Sequence, residues 1–253
     1  VGKSELYLTP LGFGGGTIGS PDVPSNISLD TVVAAWDSGV RFFDTAPWYG
    51  LGRSERRLGL ALDGIDDRER YCINTKVGKS LVPEPQRDEG NRTLSPGGQV
   101  RTPRDPITGF RAAFDYTYQY IHSQHHESLQ RLGHARVDSL TIHDIDHGYH
   151  DSSQIEKHLK ELDPNHGGGA TALQELREIG AIKAIGCGCN LESRNAESWL
   201  TSAHEDLCER IADLVDLDFY VIAGGYTLLE TRALRRVLPL CEQRNIAVVI
   251  AAP

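Results

Sequence analysis

The sequence predicts an α/β fold, and within that class an incomplete (β/α)8 TIM barrel over residues 1–253, read as a single domain with about seven strands and without the last β/α unit. Three observations carry this. Short apolar runs alternate with segments of helical periodicity, which means a parallel sheet wrapped by helices. No early glycine turn opens directly into a helix, as a doubly wound dinucleotide-binding sheet requires. Polar residues with useful chemistry stand at the C-terminal ends of successive apolar runs, where a barrel gathers them on one rim.

Leu6 to Gly19 starts strand-like and runs into Gly12, Gly14, Gly15, Gly16 and Gly19. Gly14-x-Gly16-x-x-Gly19 has the spacing of a dinucleotide fingerprint, but the loop Ser20-Pro-Asp-Val-Pro-Ser-Asn26 follows where the helix should begin. Gly78-Lys79-Ser80 imitates the tail of a P-loop, yet residue 73 is Ile and not the required Gly. A helix is expected from about Ser28 to Gly39. Residues 41–59 then organise the rest of the chain. A strand over 41–44 ends in Asp44, Pro47 and Gly50 break the chain around Trp48 and Tyr49, and Ser54 and Glu55 start a helix over about 53–63.

A strand follows over 71–76, and residues 78–110 form a Pro/Gly/Arg-rich insertion without apolar periodicity. A helix over about 115–132 leads to a strand over 137–143. The stretch 144–169 is irregular, with one short helical piece. Helices over about 170–179, 192–212 and 230–244 then alternate with strands over 182–188, 215–223 and 246–251. The chain stops where the seventh strand should enter its loop, so the sequence reads as truncated at the C-terminus, with two open sheet edges and poor stability on its own. The two irregular stretches are long enough to cover the mouth of a barrel and read as substrate loops.

Composition narrows the classes. Apolar content of 39% and charged content of 24% are ordinary for a globular protein. A net charge of −9 argues against nucleic-acid binding, and no run approaches the ~18 apolar residues of a membrane helix. The five cysteines (72, 187, 189, 208 and 241) lack disulfide-framework or zinc-site spacing and read as reduced thiols in a cytoplasmic protein.

Asp44 ends the second strand and Tyr49 sits in its loop. Lys76 ends the third, His143 the fourth and Asn190 the fifth, and Tyr226 follows the sixth. Singly, each has an ordinary structural explanation. Together, an acid, a tyrosine, a lysine and a histidine at successive strand ends point to proton-transfer chemistry.

With those residues in view, Asp44-Thr-Ala-Pro-Trp-Tyr49-Gly followed by Ser54-Glu-Arg-Arg-Leu-Gly59 resembles the aldo-keto reductase signature. Thr75-Lys76, Ile142-His143-Asp144 and Ile182-Lys-Ala-Ile-Gly186 with Asn190 continue it in order. Phe114-Asp-Tyr116, Ser128-Leu-Gln-Arg-Leu-Gly133, His143-Asp-Ile-Asp146 and Gly225-Tyr-Thr-Leu-Leu229 are most similar to the sugar 1-dehydrogenases for L-galactose, L-fucose or D-arabinose, a pattern shared by pyridoxal dehydrogenases. The resemblance implies a catalytic tetrad of Asp44, Tyr49, Lys76 and His143, with Tyr49 as general acid or base.

It also implies that the cofactor is NAD or NADP. Asn190 would hold the carboxamide, Tyr226 would stack on the nicotinamide, and Gly16, Thr17 and Asp44 would lie near the cofactor. Trp48, Tyr49 and His143 would face a small-molecule substrate, an aldose oxidised at its anomeric carbon to a lactone. A general NADPH-dependent aldehyde or ketone reductase, a non-catalytic cofactor-sensing barrel and an inactive fragment are the alternatives. Two departures stand out. Gly225 occupies a place where related sugar dehydrogenases often carry Arg, and the family's phosphate-binding segments follow the seventh strand.

Overall fold

The computed structural model describes residues 1–65, 67–83, 105–191 and 202–251, and the chain divides into two compact units. The first comprises Leu8–Asp115 and Ser123–Val137; the second comprises Val1–Tyr7, Tyr116–His122 and Asp138–Pro253.

In the first unit β1 (Phe13–Gly14), β2 (Phe42–Asp44) and β3 (Cys72–Val77) pair in parallel, with Phe43 opposite Phe13 and Ile73, and Asp44 opposite Asn74. β2 and β3 are largely buried on both faces, as parallel strands usually are, although β3 carries Asn74, Thr75 and Lys76 among its buried residues. Phe43, Ile73 and Val77 are buried, together with Val32 of α1 (Ser25–Asp37) and Leu58 and Leu62 of α2 (Arg53–Leu62). β1 is much shorter than the strand-like run predicted before Gly19, because Pro10 and the glycines from Gly12 onward interrupt a ladder.

The insertion differs from its expected irregularity at both ends. β4 (Lys79–Pro83) and β5 (Phe110–Phe114) form an antiparallel pair, from Lys79 opposite Phe114 to Pro83 opposite Phe110. Two short strands so far apart in sequence leave no local hairpin signal to read. Residues 84–104, the middle of the expected substrate loop, lie outside the described residues. α3 (Tyr118–Leu132) follows, its later turns in the first unit.

In the second unit β6 (Ser139–Ile142), β7 (Ala184–Asn190), β8 (Phe219–Ala223) and β9 (Ala247–Ala251) pair in parallel and in chain order. Leu140, Ile142, Ile185, Phe219 and Ile222 form its buried core. α4 (Ser152–Leu162) and α7 (Val237–Arg244) fall within the predicted helical stretches, while α5 (Gly169–Glu178) starts one residue before its stretch and α6 (Ala203–Leu214) ends two residues past its own. The expected start of α6 at 192 lies outside the described residues.

At the N-terminal ends of β7 and β8 the polar groups serve the backbone. Asp218, 1% exposed, accepts from the Ile185 amide at 2.8 Å and from Arg177 Nη1 at 2.9 Å. Among the described residues no helix is long and apolar enough to cross a membrane.

Candidate active site

Gly16, Thr17, Asp44, Trp48, Tyr49 and Lys76 belong to the first unit, and His143, Asn190 and Tyr226 to the second.

In the first unit the ends of β2 and β3 bring an acid and a base into contact. Lys76 Nζ donates to both carboxylate oxygens of Asp44 at 2.7 Å and to the Thr45 carbonyl at 2.8 Å. With Tyr49 as a further partner, the ammonium has four acceptors for its three hydrogens, so the two Asp44 oxygens can share one. Asn74, directly opposite Asp44 in register, donates to Asp44 Oδ1 at 2.6 Å. Lys76 is 3% exposed, and burial alone would push its pKa down. The charge of Asp44, the nearby Tyr49 and hydrogen bonds to both outweigh burial and hold it above the usual lysine value. Lys76 Nζ lies 4.9 Å from the centroid of the Tyr49 ring. A fixed cation there favours the phenolate and lowers the barrier to proton exchange by a phenol.

The turn that carries Tyr49 is held by main chain. Gly50 adopts φ +63°, and a Cβ there would stand 1.8 Å from the Gly19 carbonyl oxygen. A Cβ on Gly19 would in turn stand 2.5 Å from the Tyr49 carbonyl oxygen. The glycine-rich stretch thus packs against the tyrosine turn, as glycine permits, while Gly16 and Thr17 are exposed beside it. The Gly15 amide donates to the Asp44 carbonyl at 2.7 Å, and Ser54 Oγ donates to the Gly15 carbonyl at 2.7 Å. Trp48 is half-buried, with Lys79 Nζ 4.5 Å from its ring centroid and 5.1 Å from that of Phe114.

Sequence reasoning assigned no role at the site to Lys79 or Asn74, and read Glu55 only as a helix-starting residue. Glu55 is fully buried in α2, accepts from Thr75 Oγ1 at 2.7 Å and pairs with Arg131 of α3. Arg53, Arg56 and Arg57 crowd the same turns of the helix, so spacing alone did not single Glu55 out.

In the second unit His143 follows β6 and is 6% exposed. Its backbone carbonyl accepts from Tyr116 Oη at 2.6 Å, and its Nε2 lies 3.4 Å from Asp144 Oδ2. Burial, then the charges of Asp144 and Asp146, push the Tyr116 phenol well above its usual pKa, so it remains a donor. Asp144 takes φ +55°, a left-handed conformation that Asp tolerates better than most residues. Asn190 ends β7 opposite Ala223 and donates through Nδ2 to Asp144 Oδ1 at 3.0 Å and to Asp146 Oδ2 at 2.6 Å. The sequence marked both aspartates as motif residues but gave them no task.

Tyr226 is 42% exposed on the segment after β8. A Cβ on the neighbouring Gly225 would stand 2.5 Å from Leu191 Cβ, so the side chain absent at that position has no room here.

Residues 10–253 match the aldo/keto reductase family model. The pyridoxal 4-dehydrogenase of Microbacterium luteolum is 36% identical, over 99% of this chain and 68% of its own length. The D-threo-aldose 1-dehydrogenase of a Pseudomonas species is 34% identical, over 98% and 66%. The L-galactose dehydrogenase of Arabidopsis thaliana is 28% identical, over 100% and 64%. The chain thus spans about two thirds of the length of these relatives.

Among solved structures, a glycerol dehydrogenase from Gluconobacter oxydans superposes with a TM-score of 0.65 at 23% identity, over 97% of this chain and 60% of that one. The holo form of an aldo-keto reductase from Bacillus halodurans gives 0.66 at 19%, over 99% and 64%. The fold is therefore theirs, the α/β (β/α)8 TIM-barrel class, to which this chain contributes seven parallel strands in chain order. With the signature residues of β2, β3, β6 and β7 in place, the chain belongs to the aldo/keto reductase family.

Proposed function

We propose that this chain is the catalytic part of an NAD(P)-dependent oxidoreductase, that 1–253 act as one domain, and that the substrate is a small cyclic hemiacetal oxidised to a lactone, an aldose at C1 in the first instance. The observation that carries the reading is the buried Lys76 ammonium, paired with a partly buried Asp44 and set against the Tyr49 ring. An aldose and pyridoxal, named in two relatives that are above 30% identical over nearly the whole chain, share a carbonyl carbon that closes with an internal hydroxyl into a hemiacetal. That common chemistry sets the substrate class.

In this reading Tyr49 takes the hydroxyl proton when the hemiacetal is oxidised and returns it when a carbonyl is reduced. Lys76 stabilises the phenolate that must stand ready before the hydroxyl proton is taken and that is left once the proton is returned, and Asp44 holds Lys76 charged. Orientation of the substrate oxygen is assigned to His143, whose backbone is tied to Tyr116, and Trp48 forms a wall for the substrate.

A nicotinamide supplies the hydride acceptor. The residues present fit one: Asn190 Oδ1 has no hydrogen-bond partner among the described residues, and the Tyr226 ring is exposed enough to be stacked upon. Gly16, Thr17 and Asp44 are assigned to the same cofactor.

The decisive variant is Tyr49→Phe. Turnover of an aldose panel with NAD and NADP should fall by about 10²–10⁴-fold, the usual share of positioned acid–base catalysis, with the melting temperature unchanged. Undiminished turnover would overturn the proposal.

A further inference from the structure

We infer that Asp144 and Asp146 are positioning residues that fix Asn190 as a hydrogen-bond acceptor, so that this place reads a primary carboxamide through its NH2 and discriminates against a ketone of the same shape. The inference rests on the reading of Asn190 as a nicotinamide contact.

An amide nitrogen carries two hydrogens, and both on Asn190 Nδ2 are committed, one to each aspartate at 3.0 and 2.6 Å. A carboxylate oxygen accepts and offers no hydrogen in return. Turning the amide over would set its oxygen against two carboxylate oxygens, so the chemistry of the neighbours decides which end is nitrogen. Neither aspartate has much freedom to yield. Asp144 is 5% and Asp146 2% exposed. Asp146 Oδ1 accepts from the Gly148 amide at 2.8 Å, and Asp144 Oδ2 lies 3.4 Å from His143 Nε2. What Asn190 has left to offer is Oδ1, on a residue that is only half-buried at the end of β7.

A carboxamide NH2 satisfies that oxygen. An acetyl group replaces the NH2 by a methyl and leaves the oxygen facing an apolar group, with the desolvation cost of an unmade hydrogen bond. If both aspartates become asparagines, each can accept or donate. Asn190 is then free to turn its NH2 outward to the carbonyl oxygen that carboxamide and acetyl share.

The test compares dissociation constants, by tryptophan fluorescence quenching, for NAD+ and NADP+ against the 3-acetylpyridine counterpart of each. The native protein should bind the carboxamide form tighter by roughly tenfold, the worth of one such hydrogen bond. In Asp144→Asn/Asp146→Asn the ratio should collapse to within about threefold, and Asn190→Ala should lose both affinity and discrimination. A ratio that survives in the double variant while Asn190→Ala abolishes it would overturn the positioning role and leave the reading of Asn190 standing. Native-like binding of both ligands by Asn190→Ala would overturn that reading, and the inference with it. Should the double variant fail to fold, Asp146→Asn alone carries the test: the ratio must fall, and an unchanged ratio overturns the proposal.

Discussion

Lys76 has more acceptors around it, from Asp44, Thr45 and Tyr49, than it has hydrogens, and almost no contact with water. Removing its counter-charge leaves a buried cation, a change that costs about 3–5 kcal/mol in comparable settings. Asp44→Ala should therefore lower the unfolding free energy by about 3 kcal/mol in urea titrations, beyond any loss of turnover. Because the folded pKa of Lys76 is raised, the stability it contributes is complete below the ordinary lysine value and disappears as pH climbs through the folded one. As candidates, Asp44, Lys76 and His143 could be picked out from sequence because they stand near the ends of strand-like runs, and Tyr49 because it sits in the loop that follows one of them. Asn74, Glu55 and Lys79 were not, because their work depends on partners far along the chain: Asp44, Arg131, and the Trp48 and Phe114 rings.

At the scale of elements, local chemistry decides the boundaries. Asp151 caps α4 by accepting from the Gln154 amide at 2.9 Å, and the Gln154 side chain accepts from the Asp151 amide at 3.0 Å. Such reciprocal capping marks a helix start from sequence, and Asp151→Ala should cost about 1 kcal/mol, read as a lower chemical-denaturation midpoint. Placed within 144–169, this helix was visible as a short helical piece. The pairing of β4 with β5 was not, because its register joins Lys79 to Phe114 across a long intervening stretch. Pattern reading sees periodicity within a segment; it does not see which distant segment completes a ladder.

For the molecule as a whole, acid sensitivity follows from groups the fold refuses to charge or to neutralise. Burial, then the charges of His147 and Arg232, pushes His204 down to about 4, so the folded chain keeps it neutral where the unfolded chain takes a proton. Stability should therefore decline as pH falls from the ordinary histidine range to about 4. His204→Leu should flatten that part of a urea-midpoint-against-pH curve. A second decline belongs lower. The Arg53 guanidinium holds Asp105 at about 2, so its contribution is present above the ordinary carboxylate range and lost as pH falls through that value. The alternation of strands and helices was legible along nearly the whole chain, since burial of parallel strands imposes it everywhere. The polar residues under these acid-side effects were not, because a histidine's surroundings are a property of packing and not of spacing.

Gly19 and Gly50 meet main chain to main chain, with no side chain between them. The loop bearing Tyr49 consequently has no cushion through which a neighbouring substitution could shift it. Enlarging or trimming Trp48 would recontour the surface beside the phenol and leave its oxygen where it was. On the roles proposed for Trp48 and Tyr49, substrate choice could drift with the first while proton transfer stayed with the second, because the two are anchored by different atoms.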